Sequence, residues 1–327
     1  MLNLVVARTV AGSPVEIMPM ETFEQVMTAL VETQDSGSPP TQNLVSLRER
    51  EVTLHADPPE AQPHLAQMTA RLQASGLRVA VYVHGGPLAG GVGKNTSVIY
   101  NAQALSGTST RAPVETQDVA SLRLFLAMSS ADLDTHVETQ DFASLLRRVN
   151  TMTGLDAVTL GVGWTGWGSG PQPIAPECRP AWAAKVLEIA SALTDLGVRT
   201  SFACGMPLCL FSRQQLGHLA ALKVTWPIAW CTPQFHVEPS GQLRYCARLR
   251  GACGVHISDS RPFEQIARLS DRWSPMKAFC GHANGSSCRS LATRACGGGC
   301  LSHLLADWQG PAMAPVPPQA GNVTEGK

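Results

Sequence analysis

Three stretches decide how this chain is read: CGMPLC (Cys204–Cys209), CTPQFHVEPSGQLRYC (Cys231–Cys246) and CGHANGSSCRSLATRACGGGC (Cys280–Cys300). All 10 cysteines of the 327 residues lie between Cys178 and Cys300, and none occurs before Cys178. Thiolates bind zinc or iron–sulfur clusters, and neighbouring glycines let the backbone approach sulfur. A zinc site of Cys280, Cys288, Cys296 and Cys300 is one reading of these spacings, and His282 is a further loop ligand candidate. Cys178 and Cys253 read as small buried side chains.

Composition narrows the class. Lys and Arg total 25, Asp and Glu total 25, and the formal net charge is zero. No basic stripe with interleaved aromatics appears, so a nucleic-acid partner is not expected. The opening MLNLVVARTVAGSP is too short and too weakly apolar for a secretory core, and no run approaches membrane-spanning length. A cytoplasmic protein with no membrane partner is expected. In that compartment clustered cysteines point to metal rather than disulfides.

The pattern upstream is α/β. METFEQVMTAL (Met20–Leu30) puts Phe23, Val26, Met27 and Leu30 on one helical face, and VETQDSGSPPTQ (Val31–Gln42) reads as a polar loop. The pentapeptide VETQD recurs at Val114–Asp118 and Val137–Asp141, where Thr-Gln-Asp is expected to cap a following helix. The helices so capped would be Asp118–Met128 and Asp141–Asn150. NLVSLREREVTLH (Asn43–His55), LRVAVYVH (Leu77–His84), LDAVTLGVGW (Leu155–Trp164) and VRTSFACG (Val198–Gly205) read as strands. Helices are expected in Pro59–Gly76, in Ser212–Lys223 and in Arg179–Gly197. In the last of these Trp182, Val186, Ile189 and Leu193 share a face, with Gly197 as the stop. Alternating strands and helices imply parallel β/α units, as an open sheet or a partial barrel. From about Trp226 the texture is short and rich in Cys, Gly and Pro, a segment that calls for a metal staple. The proline-rich tail after Trp308 reads as disordered.

The spacing Cys231, nine residues, Gly241, four residues, Cys246, followed by Cys280, Cys288 and Cys296-Gly-Gly-Gly-Cys300, resembles the SPASM domain. That domain is the C-terminal cluster-binding extension of many radical SAM enzymes that modify peptides. CGMPLC resembles a segment that precedes it in some of them. The resemblance covers Asp156 to His303 and departs in the second half, where Ala283 and Leu291 stand three residues after Cys280 and Cys288. It implies a partial parallel β/α barrel of radical SAM type over residues 1–225, a small Cys-rich, metal-stapled SPASM-like domain over 226–308 and a tail over 309–327. It further implies a 4Fe–4S cluster, one and at most two, with ligands drawn from Cys204, Cys209, Cys231, Cys246, Cys280, Cys288, Cys296 and Cys300. A peptide substrate or a partner maturation enzyme is the implied partner.

Radical SAM chemistry also needs a Cys-x3-Cys-x2-Cys motif near the N-terminus, which leaves one iron open to S-adenosylmethionine. Here it is absent. The family's GGEP motif, which contacts the methionine moiety, would fall in Leu47–Pro58, where the glycines are gone and a Thr-Leu-His-x-Asp end remains. The chain therefore resembles a radical SAM barrel that kept its auxiliary cluster region and lost its catalytic cluster site. Two roles follow: an enzyme using the auxiliary cluster, or a non-catalytic peptide- or partner-binding homologue.

Two further features have plainer explanations. Trp164 and Trp167 flank a strand end where ligands often sit, and burial accounts for them equally. AGGVGKNTS (Ala89–Ser97) resembles a deviant Walker phosphate loop with Lys94 on phosphate oxygens. Ala89 replaces the signature lysine and Asn95 the magnesium-binding hydroxyl, so a glycine-rich turn is the simpler reading, with a P-loop nucleotide site as the distant alternative. If metal staples the C-terminal segment, Cys296→Ser or Cys300→Ser will lower its melting temperature. Unchanged melting of both variants contradicts the staple.

Overall fold

The structure, a computed structural model, describes residues 2–8, 14–35, 51–57, 61–83, 96–101, 119–128, 155–162, 176–203, 210–225, 235–246 and 254–273. The strands among them are β1 (Leu2–Arg8), β2 (Glu16–Ile17), β3 (Glu51–Ala56), β4 (Arg78–Val83), β5 (Thr96–Asn101), β6 (Val119–Met128), β7 (Leu155–Val162), β8 (Arg199–Phe202), β9 (Phe235–Val237), β10 (Gln242–Arg244) and β11 (Gly254–His256). The helices are α1 (Met20–Asp35), α2 (Leu65–Ala74), α3 (Arg179–Asp195), α4 (Arg213–Ala221) and α5 (Pro262–Trp273).

All the strands form one sheet, in the order β11-β10-β9-β1-β3-β4-β5-β6-β7-β8, with β2 paired to β1. Every pair from β1 through β8 in that order is parallel, and so is β1 with β9. β10 and β11 close the order as an antiparallel extension. Parallel neighbours require crossovers, and α2 between β3 and β4 and α3 between β7 and β8 supply two of them.

Side chains alternate across a strand, and here the two faces differ in chemistry. Leu2, Leu4 and Val6 of β1, Val52 and Leu54 of β3, Val79, Val81 and Val83 of β4, and Leu122 and Leu124 of β6 join one core with Phe23, Met68, Leu72, Trp182 and Val186 of the helices. The opposite positions carry Asn3, Thr53, His55, Tyr82, Ser97, Arg123, Thr159 and Ser201. Most of these are still buried.

The inner face is concave, as one ion pair shows. Arg123 of β6 grips Glu51 of β3 with both terminal nitrogens, Nη1 donating to Oε1 at 2.8 Å, and also donates to Ser97 Oγ of β5 at 3.1 Å. Two strands lie between β3 and β6. Arg123 stands in the row of His55, four residues along β3 from Glu51, so on a flat sheet the two backbones would be about 19 Å apart, and the strands must curl toward each other for the side chains to meet.

The expected helix over Asp118–Met128 is instead the strand β6. The sequence Ser121-Leu122-Arg123-Leu124-Phe125 alternates, and pairing on both edges with β5 and β7 overrides the helix-forming leucines. Thr-Gln-Asp of the second VETQD copy therefore precedes a strand and caps no helix there. The first copy, expected in a loop, forms the last residues of α1. The helix expected at Asp141–Asn150 lies outside the described residues. The other helix readings match: Phe23, Val26, Met27 and Leu30 are buried, as are Trp182, Val186, Ile189 and Leu193. Gly76 and Gly197 take positive φ, 77° and 73°, just past the ends of α2 and α3. α4 begins with a capping box between Ser212 and Gln215.

Residues after 226 build more than an irregular segment. Phe235, Val237, Leu243, Tyr245, Ile257, Phe263 and Ile266 join the common core, and α5 contacts α1. A double-mutant cycle on Glu51→Ala and Arg123→Ala is expected to give a coupling energy of roughly 0.5–3 kcal/mol in urea unfolding. Additive losses would show that the pair does not brace the curved sheet.

Candidate functional site

Of the eight expected ligands, Cys246 is described, and Cys204, Cys209, Cys231, Cys280, Cys288, Cys296 and Cys300 lie outside the described residues, as do Lys94, Trp164, Trp167 and His282. Among the described residues no three His, Cys, Asp or Glu side chains group to hold a metal. Cys246 is half-buried against the core, two residues past β10.

The hairpin that carries it explains the glycine in the Cys231–Cys246 spacing. β9 turns into β10 through Glu238–Gly241, closed by the Glu238 amide donating to Gln242 O at 2.9 Å and the Gly241 amide to Glu238 O at 2.9 Å. Gly241 has φ 82°, and a Cβ there would stand 2.7 Å from His256 Nε2. Both the left-handed backbone and the packed imidazole select glycine. His256 is fixed in turn, its Nε2 3.0 Å from Ser240 O and its Nδ1 2.7 Å from Ser258 Oγ.

The hairpin is tied to β1 and β2 by charge. Arg8, the last residue of β1, pairs with Glu16 at 2.6 Å and with Glu238 at 3.4 Å, and Arg244 pairs with Glu238 at 3.0 Å. Burial acts to lower the Arg8 pKa, but the Glu16 hydrogen bond and the charges of Glu238 and Glu16 outweigh it and hold the guanidinium above its ordinary value. Nearby, Gln62 is buried and its Nε2 donates to Val6 O and Met18 O, at 2.9 and 3.1 Å. It ties β1 and the residue after β2 to the segment just before α2.

On the inner face three buried polar side chains meet across adjacent strands. His55 Nε2 of β3 lies 3.0 Å from Asn3 Oδ1 of β1, and Asn3 Nδ2 lies 3.3 Å from His236 Nε2 of β9. Tyr82 of β4 tilts over His55 with centroids 5.1 Å apart. Burial pushes the Tyr82 phenol well above its ordinary range, and the Asp57 carboxylate adds to the shift. Burial does the same to Tyr100. The sequence reading missed this cluster. Its signal is Asn3, the polar interruption of an apolar run, together with histidines flanked by apolar neighbours in short strands.

Asp57, at the end of the stretch compared above with GGEP, follows β3 directly, and its amide donates to Ala7 O of β1 at 3.0 Å. The connection between β1 and β2 contains no cysteine. No described helix is long and apolar enough to cross a membrane.

Two crystal structures of SuiB from Streptococcus suis share this fold. The one bound to S-adenosylmethionine gives a TM-score of 0.51 at 10% identity, covering 93% of this chain and 73% of SuiB. The other gives 0.50 at 11% identity with the same coverage. No protein-family model matches the chain, and no curated protein matches it.

The buried phenols set a pH limit. The folded chain favours their neutral form, so their contribution to stability is intact below about pH 10 and is lost as the pH climbs above it. Alkaline titration at the phenolate absorbance is expected to show the Tyr82 and Tyr100 signal only as the chain unfolds. Two additional reversible transitions near pH 10 in the folded protein would contradict this placement.

Proposed function

We propose that this chain is a radical-SAM-like protein whose C-terminal cysteines bind at least one 4Fe–4S cluster in the manner of a SPASM domain. In this reading residues 226–308 form the cluster region beside a β/α part over residues 1–225, in a cytoplasmic protein. Its setting is the maturation of a ribosomally made peptide. There it recognises a peptide or a partner enzyme without turning over. One observation carries the non-catalytic part. The sheet is shared with a protein solved with S-adenosylmethionine bound, while the connection after β1 holds no cysteine. A sulfonium bound where no iron stands cannot be reduced.

The cluster part rests on the Cys231–Gly241–Cys246 spacing and on what the structure supplies beneath it. The described hairpin is zipped to β1 by backbone pairing and by Arg8–Glu238, which gives Cys246 a rigid base. Rigid supports are what a metal site needs to keep its ligands in place. When bound, the cluster supplies electron transfer or an anchoring point for substrate. The chain's own residues supply the thiolates and the fixed hairpin.

Anaerobic reconstitution followed by iron and acid-labile sulfide analysis is the decisive experiment. Iron with matching sulfide, and no 5′-deoxyadenosine from S-adenosylmethionine under reducing conditions, is the expected result. Zinc in place of iron would replace the cluster reading with a zinc-stapled binding protein, and sustained 5′-deoxyadenosine formation by a loaded protein would sink the non-catalytic one.

A further inference from the structure

We propose that Asn3, His55 and His236 form an acid-sensitive latch between β1 and β9, so that mild acid releases the hairpin leading to Cys246. The three side chains are 3%, 4% and 2% exposed. A single carboxamide serves both rings, its oxygen toward one Nε2 at 3.0 Å and its nitrogen toward the other at 3.3 Å. The amide can turn over, but in either orientation one imidazole donates through Nε2 and the other accepts there. An imidazolium carries N–H on both nitrogens. The accepting ring therefore cannot take a proton at Nε2 and keep its bond to Asn3.

The strand at stake is short. Among the described residues β9 is three residues long, and its register on β1 runs from Leu2↔Phe235 to Leu4↔Val237, with His236 at the centre opposite Asn3. Among the described residues the titratable and charged groups on and beside the trio's face are Tyr82 on β4, Asp57 after β3, Glu51 on β3 with Arg123 on β6, and Glu238 with Arg244, which stands opposite His236 on β10. Glu51 and Glu238 are paired with arginine. Tyr82 holds its proton, as above, and Asp57 acts on Tyr82. An imidazole in the unfolded or released chain takes up a proton as the pH falls past about 6.5. Proton uptake at Nε2 of the accepting ring and its bond to Asn3 exclude each other, so acid favours the released strand.

The test is hydrogen exchange of the full chain, read in a peptic fragment covering residues 235–246. After correction for intrinsic rates, its opening is expected to be about tenfold more frequent at about pH 5.5 than at neutral pH, one unit of proton uptake below the imidazole midpoint. His236→Gln, which cannot titrate, is expected to flatten that dependence, and Asn3→Asp, whose carboxylate can accept from two imidazolium rings, is expected to reverse it. An acid-independent wild type, or variants that keep the full acid response, overturns the latch. If neither variant folds, nitrogen NMR of the wild-type histidines decides. One of the 9 rings must stay neutral at about pH 5.5 while the fragment is protected, and full protonation of all rings in a protected chain overturns the proposal.

Discussion

Strand β1 is the element on which both halves of this molecule depend. It is paired in parallel on each edge, to β3 on one side and to β9 on the other. The β/α series begins at one of those edges and the cysteine-bearing hairpin at the other. Its even positions enter the helix-covered core, while Asn3 faces the concave side and binds histidines from both neighbouring strands. A polar residue in so buried a strand is tolerated only because its hydrogen bonds are made. Arg8 repeats the arrangement with charge, joining β2 and the hairpin at the strand's other end.

How much of this was legible from the sequence depends on the range of the interaction. Helix α3 announces itself through Trp182, Val186, Ile189 and Leu193, because a single helix face is a local pattern. The strands β4, β7 and β8 are legible as apolar runs. β6 is not, since Leu122, Leu124 and Leu126 suit a helix as well as a strand, and only the pairing with β5 and β7 decides. The inner-face cluster was out of reach for a stronger reason: Asn3 is 52 residues from His55 and 233 from His236. Gly241 is the reverse case. Its place in a cysteine spacing was read from resemblance, and the structure adds the physical cause, a left-handed turn packed on His256.

The two ends of the sheet's chemistry point in different directions. The connection after β1 has no thiol, and the inner face beside it is filled with imidazole, phenol and carboxamide that bond to one another. The Arg123–Glu51 pair bridges the concave side between β3 and β6. Those groups rigidify a curved sheet. The cysteines all fall later in the sequence, and the described Cys246 follows a hairpin that the same sheet holds in place.

The parallel pairing of β1 with β9 also sets an order of events during synthesis. At about 5–20 residues per second, the 233-residue separation of Asn3 and His236 takes on the order of tens of seconds to translate. During that interval β1 can pair with β3, and with β2 at Ala7 and Arg8, but the stretch of its other edge that meets β9, Leu2–Leu4, stays open. An apolar strand with one open edge is the kind of surface that recruits other chains. Contacts of such long sequence separation also form late and slowly. Until the hairpin arrives, that stretch of edge stays open.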